Sequence, residues 1–98
     1  MYEIRKTDVF VRWLNNLADR RGRAKILARL DRVAEGNLGD AKPVGQGVAE
    51  LRIPFGPGYR VYYIKRRNTV VILLLGGDKS SQEKDIKRAI QMAQDLKE

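Results

Sequence analysis

Three cations stand out by type and spacing: Arg52, Arg60 and Lys79. Side chains alternate across a β-strand. In Glu50-Leu51-Arg52-Ile53 this places Glu50 and Arg52 on one face, opposite Leu51 and Ile53. In the segment 59–65 it places Arg60, Tyr62 and Ile64 on one face and Val61 and Tyr63 on the other. Leu51, Ile53, Val61 and Tyr63 suit a core, so Arg52, Arg60 and Tyr62 are expected to point outward together. Lys79 falls close to the start of the last helix, where free N–H groups favour an anion. Two arginines, a lysine and a helix start converging in this way would grip one phosphate, a role that suits cations because the gain is electrostatic. The plainer alternative is ion pairing, Arg52 with Glu50 and Arg60 with an acid on a neighbouring strand, worth about 0–1 kcal/mol per exposed pair. Tyrosines placed as Tyr59, Tyr62 and Tyr63 are more often sheet packing than stacking platforms for bases.

Composition narrows the chemistry. Lysine and arginine number 20 against 12 acidic residues, a net charge of +8. Such an excess favours phosphate backbones, anionic membranes or acidic proteins, and nucleic acid or a ribonucleoprotein is the preferred partner. Arg20, Arg21, Arg23 and Lys25 make a second basic run, read either as an RNA contact or as a solvated helix face. The chain has no cysteine, which excludes disulfides and thiolate metal sites. It has no histidine, so neither a Ser-His-Asp nor a Cys-His arrangement can form. No metal and no cofactor are expected. The N-terminus lacks the apolar stretch of a signal peptide, and the longest apolar run, Val70 to Leu75, is too short to span a bilayer. A cytoplasmic protein without a membrane partner is expected. Residues 1–98 fit one domain, and 43% hydrophobic residues argue against disorder.

The elements that must position these cations follow from periodicity. Tyr2 to Lys6 reads as an edge strand. Thr7 and Asp8 can cap a helix carrying Phe10, Trp13, Leu14 and Leu17 on one stripe. Gly22 interrupts that pattern. A second helix then places Ile26, Leu27, Leu30, Val33 and Ala34 inward, with Arg23, Lys25, Arg29, Arg32 and Glu35 opposite, and ends at Gly36-Asn37. The segment 36–47 holds Gly36, Gly39, Pro43, Gly45 and Gly47 and reads as a loop. Strands are expected over 48–53 and 59–65, separated by the turn 54–58. Residues 66–69 connect to a central strand at Val70–Leu75, ended by Gly76-Gly77. Ser80 and Glu83 have capping-box spacing, opening a helix with Ile86, Ala89, Ile90, Ala93 and Leu96 on one side. The order β-α-α-β-β-β-α predicts an α+β domain with an antiparallel sheet packed on the N-terminal helix pair. The final helix would cover an edge or part of the other face.

The runs Glu50-Leu-Arg-Ile53, Gly56-Pro-Gly-Tyr-Arg-Val-Tyr-Tyr63 and Leu75-Gly-Gly-Asp-Lys-Ser-Ser-Gln82, with Asp85-Ile86 and Ala89, resemble the RelE/ParE toxin superfamily, in particular its HigB-like addiction-module killer branch. The resemblance covers nearly the whole chain. It implies two N-terminal helices against a curved antiparallel sheet. It also implies a type II toxin neutralised by a cognate antitoxin, often one with a helix-turn-helix DNA-binding part. RelE and HigB members imply cleavage of mRNA in the ribosome; ParE members imply non-enzymatic poisoning of DNA gyrase. An RNA-binding module without toxicity is a third reading. By resemblance, Arg60 matches the arginine that contacts the scissile phosphate, Arg52 falls near basic residues of the preceding strand, and Lys79 matches a basic position after the last strand. Asp85 stands where RelE has a tyrosine. Glu50 and Asp85 are the candidate bases, with a lysine whose pKa is lowered by crowding cations as the alternative, and Tyr62, Lys84, Arg20, Arg21 and Arg23 are candidate RNA contacts.

Overall fold

The structure is a computed structural model that describes residues 1–96. Its elements are β1 (Glu3–Lys6), α1 (Asp8–Asn15), α2 (Arg20–Ala34), β2 (Ala41–Gly45), β3 (Val48–Ile53), β4 (Tyr59–Arg66), β5 (Val70–Asp78) and α3 (Gln82–Asp95), with a 3₁₀ turn at Lys79–Ser81. The strands form one sheet in the order β1-β5-β4-β3-β2. β2 to β5 run antiparallel in succession, and β1 closes the far edge parallel to β5. The α+β architecture with its N-terminal helix pair is as expected.

Local chemistry explains the helix starts. Thr7 caps α1 by accepting the Phe10 N–H at 3.1 Å and donates its hydroxyl to the Leu74 carbonyl at 2.6 Å, tying the helix to β5. Asp19 caps α2 by accepting the Gly22 N–H at 2.9 Å. The break between the helices therefore lies at residues 16–19 and Gly22 sits inside α2, where a Cβ would collide with Tyr59 and Asp19.

Two cores flank the sheet. Phe10, Leu14, Ile26, Leu30 and Val33 pack on Leu51, Ile53, Val61, Tyr63, Val71 and Leu73. On the opposite face α3 lays Ala89, Ile86 and Ile90 over Tyr62, Ile72, Leu74 and Leu75. Burial on both faces is what the continuous apolar run of β5 demands. Leu74 is an extra residue in that strand, since Tyr62 pairs with Leu75 and Tyr63 with Leu73. This bulge turns Leu74 and Leu75 both toward α3.

Several expectations are corrected. The segment read as a loop contains β2, an edge strand paired with β3, where Pro43 is tolerated because its missing N–H faces no neighbour. Gly76-Gly77 does not end β5, which runs to Asp78. Trp13 of α1 lies against Gly76 and Asp85 of α3 against Gly77, so a Cβ at either position would collide. The capping box is formed by Asp78 and Ser81, not Ser80 and Glu83. Leu27 is exposed, whereas Arg29, expected on the solvent face, is buried at 7% exposure.

Candidate phosphate-binding site

Register brings the cations into line. Arg52 on β3 pairs with Arg60 on β4, which pairs with Gly77 on β5. Lys79 follows one residue after β5, and Gly58, in left-handed backbone at φ +82°, faces its Cβ. Arg52, Arg60 and Lys79 thus line a single concavity of about 290 Å³, together with Asp40, Pro54 and Tyr59.

The three cations differ in their surroundings. Arg52 is half-exposed and bonds the Asp40 carboxylate through Nη2 at 2.9 Å and Nε at 3.2 Å. Asp40 is itself placed by Arg29, whose guanidinium donates to the carbonyls of Leu38 (2.9 and 3.1 Å), Asp40 (2.7 Å) and Arg52 (2.7 Å). Burial lowers the Arg29 pKa and the Asp40 charge opposes that shift. Arg60 keeps only 13% of its side chain exposed, with Nη1 3.5 Å from Glu50 Oε2. Its Nε is buried and has no acceptor among the described residues. Lys79 is exposed and has no ion pair among the described residues.

Glu50 is 1% exposed. Its two carboxylate oxygens accept from Gln82 Nε2 at 3.0 and 3.2 Å, so the first residue of α3 clamps the acid that faces Arg60. Glu50, Arg52, Arg60 and Tyr62 share one face of the sheet, but α3 covers part of it. Tyr62, expected to point outward to RNA, is therefore fully buried in the second core. Burial first, and then the charges of Glu50 and Asp85, raise its pKa above the ordinary phenol value. Its hydroxyl has no partner among the described residues. Asp85 is half-buried over Gly77 and accepts the Ser81 hydroxyl at 2.6 Å.

The remaining candidates lie elsewhere. Lys84 is exposed beside Lys87 and Ser80, on a separate concavity of about 430 Å³. Arg20 and Arg21 are exposed at the start of α2, on the helix-pair side of the sheet. Arg23 turns inward, and its Nη2 donates to the Leu17 carbonyl at 2.7 Å, closing the helix junction. Sequence reasoning passed over Asp40, Arg29 and Gln82. The first lay in a segment read as loop, the second on a face read as solvated, and the third inside a quoted motif without a role. The expected pairing of Arg60 with a neighbouring-strand acid is present, while Arg52 takes Asp40 and not Glu50. Among the described residues no three His, Cys, Asp or Glu side chains gather as a metal cradle. Among them, too, no helix is long and apolar enough to cross a membrane.

Comparison with known proteins places this geometry. Residues 12–98 match the family described as Phage derived protein Gp49-like (DUF891), a match that includes every residue of the cationic concavity. A Haemophilus influenzae protein bearing only the name "Uncharacterized protein" is 51% identical over 94 residues, which are 96% of this chain and 95% of that one. The chain belongs to the Gp49-like phage-derived protein family, a toxin–antitoxin-associated family related to RelE-like toxins.

Proposed function

We propose that the chain is the toxin of a type II toxin–antitoxin pair, of the HigB-like kind, and that it cleaves mRNA held in the ribosome. Family membership implies an antitoxin partner. The observation that carries the nuclease reading is the convergence of Arg52, Arg60 and Lys79 on one concavity. An oxyanion seated between them would be held by charge-assisted bonds from three cations.

The chemistry is attack of an RNA 2′-oxygen on the adjacent phosphorus, with loss of its proton and breakage of the bond to the 5′-oxygen, which is then protonated. Negative charge grows on the phosphate, and preorganised cations stabilise it. Glu50, sealed beneath α3, is a positioning residue that holds Arg60. Asp85 is the more open of the two carboxylates. A strong base is not required of this chain, because a ribosome that orients the RNA can lower the barrier by about 7–11 kcal/mol.

Primer extension on translating ribosomes tests the proposal. Codon-placed cuts are expected with the wild-type chain, with none on free RNA at modest enzyme concentration. Arg60→Lys should abolish them, since a lysine keeps the charge but loses the planar fork. Arg60→Ala is a poorer test, because it strands the buried Glu50 charge. Full cutting by a folded Arg60→Lys variant refutes the phosphate clamp. Gyrase cleavage complexes in place of mRNA cuts would establish the non-enzymatic alternative.

A further inference from the structure

The concavity holding Arg52, Arg60 and Lys79 does not end at Pro54. Two more adjoin it and share that residue. One, of about 300 Å³, is lined by Arg29, Arg32 and Asp40. The other, of about 190 Å³, is lined by Lys25, Arg29, Arg32 and Phe55. Asp40 is also common to the first and second, and Arg29 and Arg32 to the second and third, so the three concavities succeed one another as a trough from Arg60 on β4 past the end of β3 to Lys25 on α2. Six cations line it (Lys25, Arg29, Arg32, Arg52, Arg60 and Lys79) against one acid, Asp40.

Not all these cations are free to meet a ligand. Arg29 is committed to three carbonyls, whereas the Arg52–Asp40 pair is exposed and can open to a ligand. Lys25 and Arg32 are exposed and have no ion pair among the described residues. Lys25 is steadied over the Phe55 ring, its Nζ 5.7 Å from the centroid. Unpaired cations spaced along adjoining concavities suit a polyanion with repeating charges better than a compact anion.

We infer that the trough is a track for single-stranded RNA, with Lys25 and Arg32 binding backbone phosphates beyond the one held by Arg52, Arg60 and Lys79. This rests on the nuclease reading and adds to it the path of the flanking strand. Neither Lys25 nor Arg32 falls in the central concavity, so they contribute affinity for length and not for the reacting phosphate.

The test uses the purified chain and labelled 2′-O-methyl RNA oligonucleotides, one too short to leave the central concavity and one long enough to reach α2. Binding is followed by fluorescence anisotropy across a salt series. For single strands each neutralised phosphate adds about 0.7 to the slope of log affinity against log salt. The K25Q/R32Q variant should therefore flatten the slope for the long RNA by about 1.4 and leave the short RNA unchanged. The control is K6Q, on the opposite edge strand β1; it should leave the long-RNA slope as in wild type. Equal melting temperatures for the variants exclude a folding defect. An unchanged slope for K25Q/R32Q, with R52Q still weakening both RNAs, overturns the track and leaves the central site standing. Failure of the wild-type chain to bind either RNA at low salt overturns both readings. Loss of binding to an acidic polypeptide but not to RNA overturns the track in favour of a protein partner.

Discussion

Glutamine at position 50 would leave Arg60 facing a neutral amide. Nη1 and Oε2 lie 3.5 Å apart, with side chains 13% and 2% exposed. At that separation Coulomb's law gives about 5 kcal/mol for an effective dielectric of about 20. Desolvation of both groups offsets part of this, and removing one partner of a buried pair costs about 3–5 kcal/mol. Because Arg60 keeps a wet edge, Glu50→Gln is expected to cost about 2–4 kcal/mol, and Arg60→Met a similar amount through the stranded carboxylate. The double variant should cost less than the sum by about 1–3 kcal/mol. For a domain of this size each kcal/mol moves the melting temperature by about 4–8 °C, so Glu50→Gln should lower it by roughly 10–30 °C. Thermal and urea denaturation followed by circular dichroism measure all four corners of the cycle. If the single costs add to within about 0.5 kcal/mol, the two side chains are not coupled and the positioning role of Glu50 is refuted.

Other substitutions probe the supports of the site. Arg29→Met should destabilise by about 2–4 kcal/mol, because three carbonyls lose a charged donor; a cost below about 1 kcal/mol in urea denaturation would show that water replaces it. Gly77→Ala should cost about 1–3 kcal/mol by driving a methyl into Asp85 and Ser81, and an unchanged melting temperature would mean that α3 yields freely. Asp40→Asn should release Arg52 and tighten RNA binding in anisotropy, while changing stability by no more than about 1 kcal/mol, since the pair is exposed. Weaker binding would show that Asp40 instead holds Arg52 in place. The Tyr59 hydroxyl bond to Asp19 (2.6 Å) and the Gly22 N–H lower the Asp19 pKa, so the stability it contributes is present above pH 3.8 and lost as the pH falls through the lowered value. Asp19→Asn should therefore be less stable than wild type at neutral pH, with the difference closing in acid. The same bond and burial push the Tyr59 pKa up to about 12, so stability should also fall as the pH rises from about 10 to about 12. Parallel acid and alkaline titrations of the two chains that remain equally spaced would refute both.

What the residues disclosed, and what they withheld, follows from the range of the forces involved. Alternation along β3 and β4 is local, and it placed Glu50, Arg52, Arg60 and Tyr62 on one face correctly. Whether that face is wet depends on where α3 lands, fourteen residues supplied by a distant part of the chain, and Tyr62 was misjudged for that reason. β2 was hidden because glycine and proline normally mark loops, yet an edge strand with a bulge between Pro43 and Gly45 can hold both. Gly76 and Gly77 were read as a stop when they are the places where Trp13 and Asp85 come close to the sheet. Arg29 was assigned to solvent by its charge. Its burial depends on the carbonyls of Leu38, Asp40 and Arg52, whose convergence is a property of the tertiary fold.

The pairing of two site cations with internal acids bears on how an anion would bind. Arg52 and Asp40 are 37% and 51% exposed, so an arriving phosphate can displace that carboxylate at little cost. Glu50 cannot leave, being sealed under α3 and clamped by Gln82. It holds one edge of the Arg60 guanidinium and leaves Nε without an acceptor. Arg60 is thus already desolvated and oriented before the phosphate arrives, while Arg52 and Lys79 adapt to it. A ligand that binds in this way stabilises the folded chain in proportion to its occupancy. A guanidinium already held in place and largely stripped of water loses less on binding, and that preorganisation is itself a source of affinity for a phosphate.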